Sequence, residues 1–430
     1  MRIVVIGSGA GGSLAARELV KTSSEVVILE AGGRFEPMSR RVTMTEPLRR
    51  VGLLGSERTI RRFLPSMWVG RSSEDLVLVR GICAGGSTAI ACGNLVRATS
   101  GLDEIKLDLT SEFQRLEKEL KPTVFPKDRW RPTSADMFHV AESMGLRPEP
   151  TPKALEATRC EACGLCEVGC ATGAKWDARR WLREAERQGA KLLLESPVTR
   201  LQIEKGQVSG VMISRKQGSE VIRADVVVLA AGGIGTAKIL RSSELPVADR
   251  LWADIVLTIG GCKQDADMLC EPPMVWYTKH ERFILSPYLD ILSHWFYQPW
   301  RKIGLHDRVG IMVKLADEAN GVIGPDGQVH KALTEVDRDR LAEASAMAVE
   351  IMEGAGVKGP FVPGMLNGGH LGGTVPLQRQ DVDTMHPSNL PDNLYVADLS
   401  LLPKSQGMPT MLTAAALSMR VTSKIIEQYG

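Results

Sequence analysis

Residues 1–33 read MRIVVIGSGAGGSLAARELVKTSSEVVILEAGG. RIVVIG is a short apolar run after Arg2, the pattern of a buried strand. It meets Gly7-Ser8-Gly9-Ala10-Gly11-Gly12, and Leu14, Ala15 and Leu19 then recur at helical spacing. A second apolar run, Glu25 to Leu29, ends at Glu30. Strand, glycine turn, helix, strand and terminal acid in that order predict a Rossmann-like dinucleotide site. Gly7 makes the tight turn, Gly9 lets the backbone approach a pyrophosphate, and Gly12 lets helix and strand pack closely. The helix opening at Ala10 offers free N–H groups and the positive end of its dipole to phosphates. Glu30 can accept hydrogen bonds from a ribose hydroxyl pair. The alternative is a glycine turn that only packs.

Composition bounds the rest. A chain of 430 residues is long enough for two or three domains and a large core. A net charge of +2 excludes an obvious nucleic-acid partner. There is no apolar run of transmembrane length. Met1 is followed at once by a strand, leaving no room for a signal peptide, so a cytoplasmic location is expected, with the inner face of the membrane as its peripheral variant.

Eight cysteines in a chain of this size do not make a disulfide framework. Four fall in TRCEACGLCEVGCATGAKW, residues 158–176, as Cys160-x2-Cys163-x2-Cys166-x3-Cys170. The spacing is that of the bacterial ferredoxin run, with Ala171 in place of Pro. Three thiolates in so short a loop can wrap one corner of an iron–sulfur cube, so a [4Fe-4S] cluster is the first reading. Zinc and reduced structural thiols are the others. In two-cluster ferredoxins the fourth Cys of such a run serves the other cluster, and there is no second run here. Either Cys170 closes the same cluster or a distant thiol does: Cys262 or Cys270, then Cys83 or Cys92.

Residues 34–75 are locally basic, with Arg34, Arg40, Arg41, Arg49, Arg50, Arg58, Arg61, Arg62 and Arg71 against five acids. They read as a solvated helical excursion, or as a docking surface for an acidic partner or an anionic membrane. Residues 76–97, LVLVRGICAGGSTAIACGNLVR, start as a strand and break at Gly81, Gly85 and Gly86. The glycine pair before Ser87 suits a backbone brought close to a ligand. Residues 102–121 read as a polar amphipathic helix, 122–157 as an irregular connection, and 177–189 as a charged helix. Strands with turns at Lys205-Gly206 and Gly210 follow, then a buried strand, a Gly232-Gly233 turn and a helix from about Thr236. Residues 251–365 form a second compositional unit on a mixed sheet, with an Ala-rich helix over 335–354. Its aromatic stretch FILSPYLDILSHWFYQPW, residues 283–300, is either a buried wall or a surface facing lipid, a quinone or a partner subunit. NGGHLGGTVPLQ, residues 367–378, sets His370 before a Gly-rich turn. PDNLYVADLSLLP, residues 391–403, is a strand ending on Asp398, and a helix closes the chain. An apolar strand ending in Asp near the C-terminus suits FAD better than NAD, because the carboxylate can reach the ribityl or pyrophosphate region.

In this order the blocks resemble the glucose–methanol–choline (GMC) oxidoreductase family. The resemblance implies an α/β fold: a Rossmann-like FAD-binding domain from 1–40, 76–121, 190–250 and 366–430, interleaved with an α+β substrate domain. That second domain takes 251–365 with parts of 41–75 and 122–157, and 158–176 stands as a cysteine loop. It implies non-covalent FAD on Gly7, Gly9, Ala10, Gly12, Glu30, Gly85, Gly86, Ser87, Asn94, Val198, Gly232, Asp398, Pro409 and Thr410, with the Val198 amide at the adenine. Members commonly carry Asn where this chain has Ala91.

It also implies alcohol oxidation, with His370 taking the hydroxyl proton; the alternative is a structural His lining the flavin. The family's usual second His or Asn falls at Met408, which cannot accept a proton. His370 then acts alone, or Lys404 or Gln406 helps, or the substrate is not a simple alcohol. The leading expectation is an FAD enzyme that moves a hydride between a hydroxyl-bearing small molecule and FAD. Its electrons pass through the cluster to a one-electron acceptor protein or partner subunit, in an oligomer or complex. A reductase running the other way and a flavin-bearing electron-transfer subunit are the alternatives. His370 should abut the flavin, and Cys160 to Cys170 should lie in a separate block leading away.

Overall fold

The computed structural model describes residues 1–38, 43–54, 60, 64–215 and 218–430. The opening strand, Arg2–Ile6, is the centre of a five-stranded parallel sheet. Val226–Leu229 and Glu25–Leu29 flank it, and Leu394–Val396 and Lys191–Leu193 form the edges. Val4, Val5, Ile28 and the whole of Val226–Leu229 are closed to solvent, as near-continuous apolar runs are in a covered parallel sheet. The first helix, Ala10–Leu19, packs on the C-terminal helix Met411–Tyr429 and on Arg179–Arg187. Glycine also lets this helix meet the segment after Leu394–Val396: a Cβ on Gly11 would stand 1.8 Å from the Ala397 carbonyl oxygen. The last element of the chain thus folds onto the first.

A second, nine-stranded mixed sheet runs Met67–Arg71, Val77–Gly81, Asn367–Gly368, Ile255–Cys262, Arg308–Leu315, Phe283–Pro287, Trp276–Lys279, Glu149–Pro150, with Lys358–Pro363 also on Ile255–Cys262. The Ala-rich helix is present as Glu335–Gly354 and lies against this sheet. Its start is fixed by reciprocal bonds: Asp337 N–H donates to Thr334 Oγ1 at 3.1 Å, and Thr334 N–H to Asp337 Oδ2 at 3.0 Å. A three-stranded meander, Val198–Glu204, Gln207–Arg215 and Gly218–Arg223, packs on the helix Gly232–Ser242.

Several local expectations change. Residues 122–157 hold a helix, Pro132–Ser143, whose first-turn proline and buried Met137, Phe138 and Ala141 outweigh the surrounding Pro and charge. The helix expected from about Thr236 starts at Gly232, so the glycine pair is its first turn. Gly210 lies inside a strand, where Ile222 O would crowd a Cβ at 2.8 Å, and marks a close backbone approach and not a turn. The helix expected over 102–121 is split into Leu102–Ile105 and Thr110–Leu120. Val77–Gly81, expected with the FAD-binding segments, pairs in the second sheet. Trp295 and Trp300 of the aromatic stretch are buried.

The basic excursion is only partly within the described residues; Arg40, Arg41, Arg58, Arg61 and Arg62 fall outside them. Arg49 is no docking residue: it is buried, paired with Glu46 at 2.5 Å, and donates to the carbonyls of Trp300, Arg301 and Ile303. Met44, Leu48, Val51 and Leu53 nearby are exposed. No helix among the described residues is long and apolar enough to cross a membrane.

Candidate active site

Two contiguous cavities lie between the sheets. The larger, about 650 Å³, is lined by Gly7, Gly9, Ala10, Glu30, Gly86, Ser87, Val198, Gly232, Asp398 and Thr410. The smaller, about 160 Å³, shares Arg80, Ser87, Ala91, Gly369, His370, Thr410 and Met411 with it. Four expected cofactor residues stand elsewhere. Gly12 packs on the glycine turn, where a Cβ would be 2.0 Å from Gly7 O. Gly85 donates its N–H to Ser8 Oγ at 3.1 Å. Asn94 and Pro409 line the smaller cavity only, and Asn94 Oδ1 is taken by the Lys153 ammonium.

The larger cavity fits an FAD. The helix N-terminus at Gly9-Ala10 opens into it, and an added Cβ on Gly9 or Gly232 would meet nothing within 4 Å. Glu30 at one end accepts from Ser8 Oγ at 2.6 Å, Ser8 N at 3.1 Å and Gly32 N at 2.8 Å. Burial raises its pKa, against those bonds. Both Ser8 bonds fall on Oε2, so Oε1, which takes the Gly32 N–H, is the oxygen left with capacity for a ribose hydroxyl. Asp398 accepts from Gly232 N at 2.8 Å, Thr236 Oγ1 at 2.6 Å and Ser400 N at 2.8 Å, tying the second glycine turn to the C-terminal segment. Arg80 lines both cavities; its Nε has no hydrogen-bond partner among the described residues, and its guanidinium lies 4.5 Å over Trp68.

His370 sits on the shared rim. Its Nδ1 is 3.2 Å from Asp254 Oδ2, and Lys314 Nζ is 3.4 Å from the same carboxylate. Asp254 Oδ1 accepts from Ser405 Oγ at 2.6 Å and from the N–H groups of Gln406 and Gly407 at 2.8 Å. Burial opposes the charge on Asp254, but Lys314, His370 and Ser405 outweigh it and hold the pKa at about 2. Burial, with Lys314 adding to it, moves His370 below the ordinary histidine value, against Asp254 and the Met408 backbone. With Asp254 ionised, the proton of the neutral imidazole belongs on Nδ1 and the lone pair on Nε2.

The helpers named from sequence do other work. Lys404 pairs with Glu104 at the surface, and the Gln406 side chain holds Ser100 through both its atoms. Met408 is buried among Val96, Met274, Tyr288 and Met312. Asp254 and Lys314 were missed. Their signals were a charged residue opening an apolar strand, WADIV, and a lysine inside the all-buried strand RVGIMVKL.

The cysteine loop does not lead away. Cys160, Cys163, Cys166 and Cys170 line one cavity of about 30 Å³ with Lys175; Cys83, Cys92, Cys262 and Cys270 do not. All eight thiols are free. Ala162 N–H donates to Cys160 Sγ and Lys175 N–H to Cys170 Sγ, each at 3.4 Å. Among the described residues, however, no three His, Cys, Asp or Glu side chains stand in a metal-holding set. Lys175 Nζ joins this loop to the segment lining the larger cavity. It donates to Cys166 O at 3.2 Å, Thr88 O at 3.1 Å, Ala89 O at 3.0 Å and Ala91 O at 2.6 Å. The same loop sends Glu167 into the wall of the smaller cavity. Burial and nearby Asp290 push the Glu167 carboxyl up to about 8.

An uncharacterized protein of Methanocaldococcus jannaschii is 24% identical over 425 residues, 98% of this chain and 99% of that one. A long-chain-alcohol oxidase of Arabidopsis thaliana is 23% identical over 407 residues, 83% of this chain and 53% of that one. The solved structure of pyridoxine 4-oxidase from Mesorbium loti shares the fold, with a TM-score of 0.77 over 100% of both chains at 16% identity. The family model of the GMC oxidoreductases matches residues 1–255, from the opening strand to the residue after Asp254. With more than half of its length under that match, this FAD-dependent enzyme belongs to the GMC oxidoreductases.

Proposed function

We propose that the protein oxidises a hydroxyl-bearing small molecule at His370 and passes the electrons on one at a time. The observation that carries the oxidation is the His370–Asp254 pair on the rim shared by the two cavities. Bound FAD supplies a two-electron hydride acceptor in the larger cavity. The substrate hydroxyl gives its proton to His370 Nε2, the carbon-bound hydrogen leaves as hydride, and the carbonyl forms. Asp254 holds the ring in the tautomer that can take that proton and steadies the imidazolium that results. Lys314 keeps the dyad's carboxylate ionised.

The one-electron part rests on the cysteine run. Its ferredoxin spacing and the convergence of Cys160, Cys163, Cys166 and Cys170 on one cavity support a [4Fe-4S] cluster, which would supply one-electron transfer. That cavity is smaller than a cluster, so binding one would require the loop to open. Exposed Met44, Leu48, Val51 and Leu53 beside Arg50 support a docking face for the acceptor.

Anaerobic mixing with a panel of alcohols should bleach the flavin in wild type and not in His370→Ala, with FAD retained in both. Metal analysis of the anaerobically purified protein should find about four irons and four labile sulfides per chain. Zinc without sulfide would remove the cluster and leave the alcohol chemistry standing. A flavin that no alcohol reduces would remove the chemistry.

A further inference from the structure

The His370–Asp254 pair is one half of a larger buried set. Asp317 and Lys331 form a second ion pair, Lys331 Nζ to Asp317 Oδ2 at 2.8 Å, with both side chains closed to solvent. Neither lines either cavity, so neither touches substrate or cofactor. Asp317 nonetheless holds the surroundings of Asp254 on two sides. Both its oxygens accept from the Ala253 N–H at 3.2 Å, one residue before Asp254. Its Oδ1 is 2.8 Å from Ser405 Oγ, and Asp254 Oδ1 is 2.6 Å from the same hydroxyl. The Asp317 N–H donates to that hydroxyl at 3.1 Å and fixes its place. Lys331 is anchored in turn by the Glu318 carbonyl at 2.7 Å and by Asn320 Oδ1. Two buried carboxylates thus converge on a hydroxyl that has one hydrogen to give. Their repulsion is offset by two buried cations, Lys331 on Asp317 and Lys314 on Asp254.

We propose that Asp317 and Lys331 are positioning residues for His370: the pair fixes Asp254 through Ala253 and Ser405, and its neutrality sets the pH at which the imidazole charges. The role in turnover rests on the reading of His370 as the base. The sign follows from the charges. Without the Asp317 charge, Lys331 is left unpaired behind Asp254 and opposes the imidazolium, so His370 charges at lower pH. Without either charge the balance returns. Asp254 and Lys314 are the charged groups at the imidazole itself, and Arg80, Cys92, Glu167 and Asp290 line the same cavity. All six are the same in every variant compared, so their effects cancel.

The test titrates the His370 imidazole by NMR of ring-labelled histidine in the FAD-loaded protein, its signal among the seven histidines assigned by its loss in His370→Gln. In Asp317→Asn the titration should move about one pH unit lower. Adding Lys331→Met to that variant should bring it back to near the wild-type value. A pair that only stabilises the fold would depress the melting temperature without moving the imidazole, and a second loss would not reverse the first. Ser405→Ala changes no charge and serves where Asp317→Asn does not fold. It takes a donor from Asp254, so His370 should titrate higher than in wild type. An unmoved imidazole in the variant used, or a shift in Asp317→Asn that Lys331→Met does not reverse, would overturn the proposal. The titration needs no turnover, so it stands apart from the alcohol chemistry. If the imidazole moves and the acid limb of flavin reduction does not, the network holds and His370 is not the base.

Discussion

At the residue scale, Met408 stands where the resemblance expects a second His or Asn, and the charged partner of His370 is Asp254. It is fully buried, ionised, and bonded to His370, Ser405 and two backbone amides at once. Two outcomes follow from the sign of the histidine shift. Because burial lowers the His370 pKa, the ring is neutral at pH 7. The rate of flavin reduction should therefore stay level down to the ordinary histidine value of about 6.5 and fall only below it. Asp254→Asn removes the charge that favours the imidazolium, so the acid limb should move to still lower pH. The loosened ring should cost about 10²-fold in rate. A pH profile of stopped-flow flavin reduction measures both, and an acid limb above pH 6.5 in wild type would rule out His370 as the titrating base.

At the scale of elements, the glycine turn and the cysteine loop make separable predictions. Gly12→Ala forces a Cβ to 2.0 Å from the Gly7 carbonyl oxygen, a backbone atom that cannot move without shifting the turn. Overpacking of this kind costs about 1–3 kcal/mol, so the thermal midpoint should fall even without FAD. Gly9→Ala meets nothing within 4 Å, so the apo fold should hold while FAD affinity drops, because the methyl enters the cofactor cavity. Calorimetry with and without added FAD separates the two. Lys175→Met strips a charged donor from four carbonyls that join the cysteine loop to residues 88–91. The loss should be at least about 1.5–3 kcal/mol by denaturant titration. A variant as stable as wild type would mean that the loop is held some other way.

For the whole molecule, the two sheets meet where Trp252 and Asp254 lead into Ile255–Cys262. Trp252 Nε1 donates to Leu402 O at 3.1 Å, its backbone pairs with Gly372, and its ring is fully buried. Trp252→Ala should cost about 3–5 kcal/mol and loosen FAD, because the same stretch sets both His370 and the C-terminal segment. The proximity of the cysteine loop to the cofactor cavity bears on electron flow. Cys163→Ser should leave substrate-driven flavin reduction intact in a single turnover and slow steady-state transfer to a one-electron acceptor. If that variant passes electrons as fast as wild type with FAD bound, the cysteines are structural.

What the sequence determined by itself is local. RIVVIG, the glycine turn and EVVILE are contiguous, and their spacing alone dictates strand, turn, helix and strand, as Arg2–Ile6, Ala10–Leu19 and Glu25–Leu29 bear out. The Ala-rich helix at 335–354 and the pattern ending on Asp398 were legible for the same reason. What only the tertiary structure decided are meetings between residues far apart in the chain. Asp254 and His370 are 116 positions apart, and Glu167 and Tyr288 are 121 apart. Nothing in either neighbourhood names its partner, because a buried charge is stabilised by whatever donor the packing brings to it. Helix Pro132–Ser143 was hidden likewise, since its apolar face has meaning only against the surface it covers.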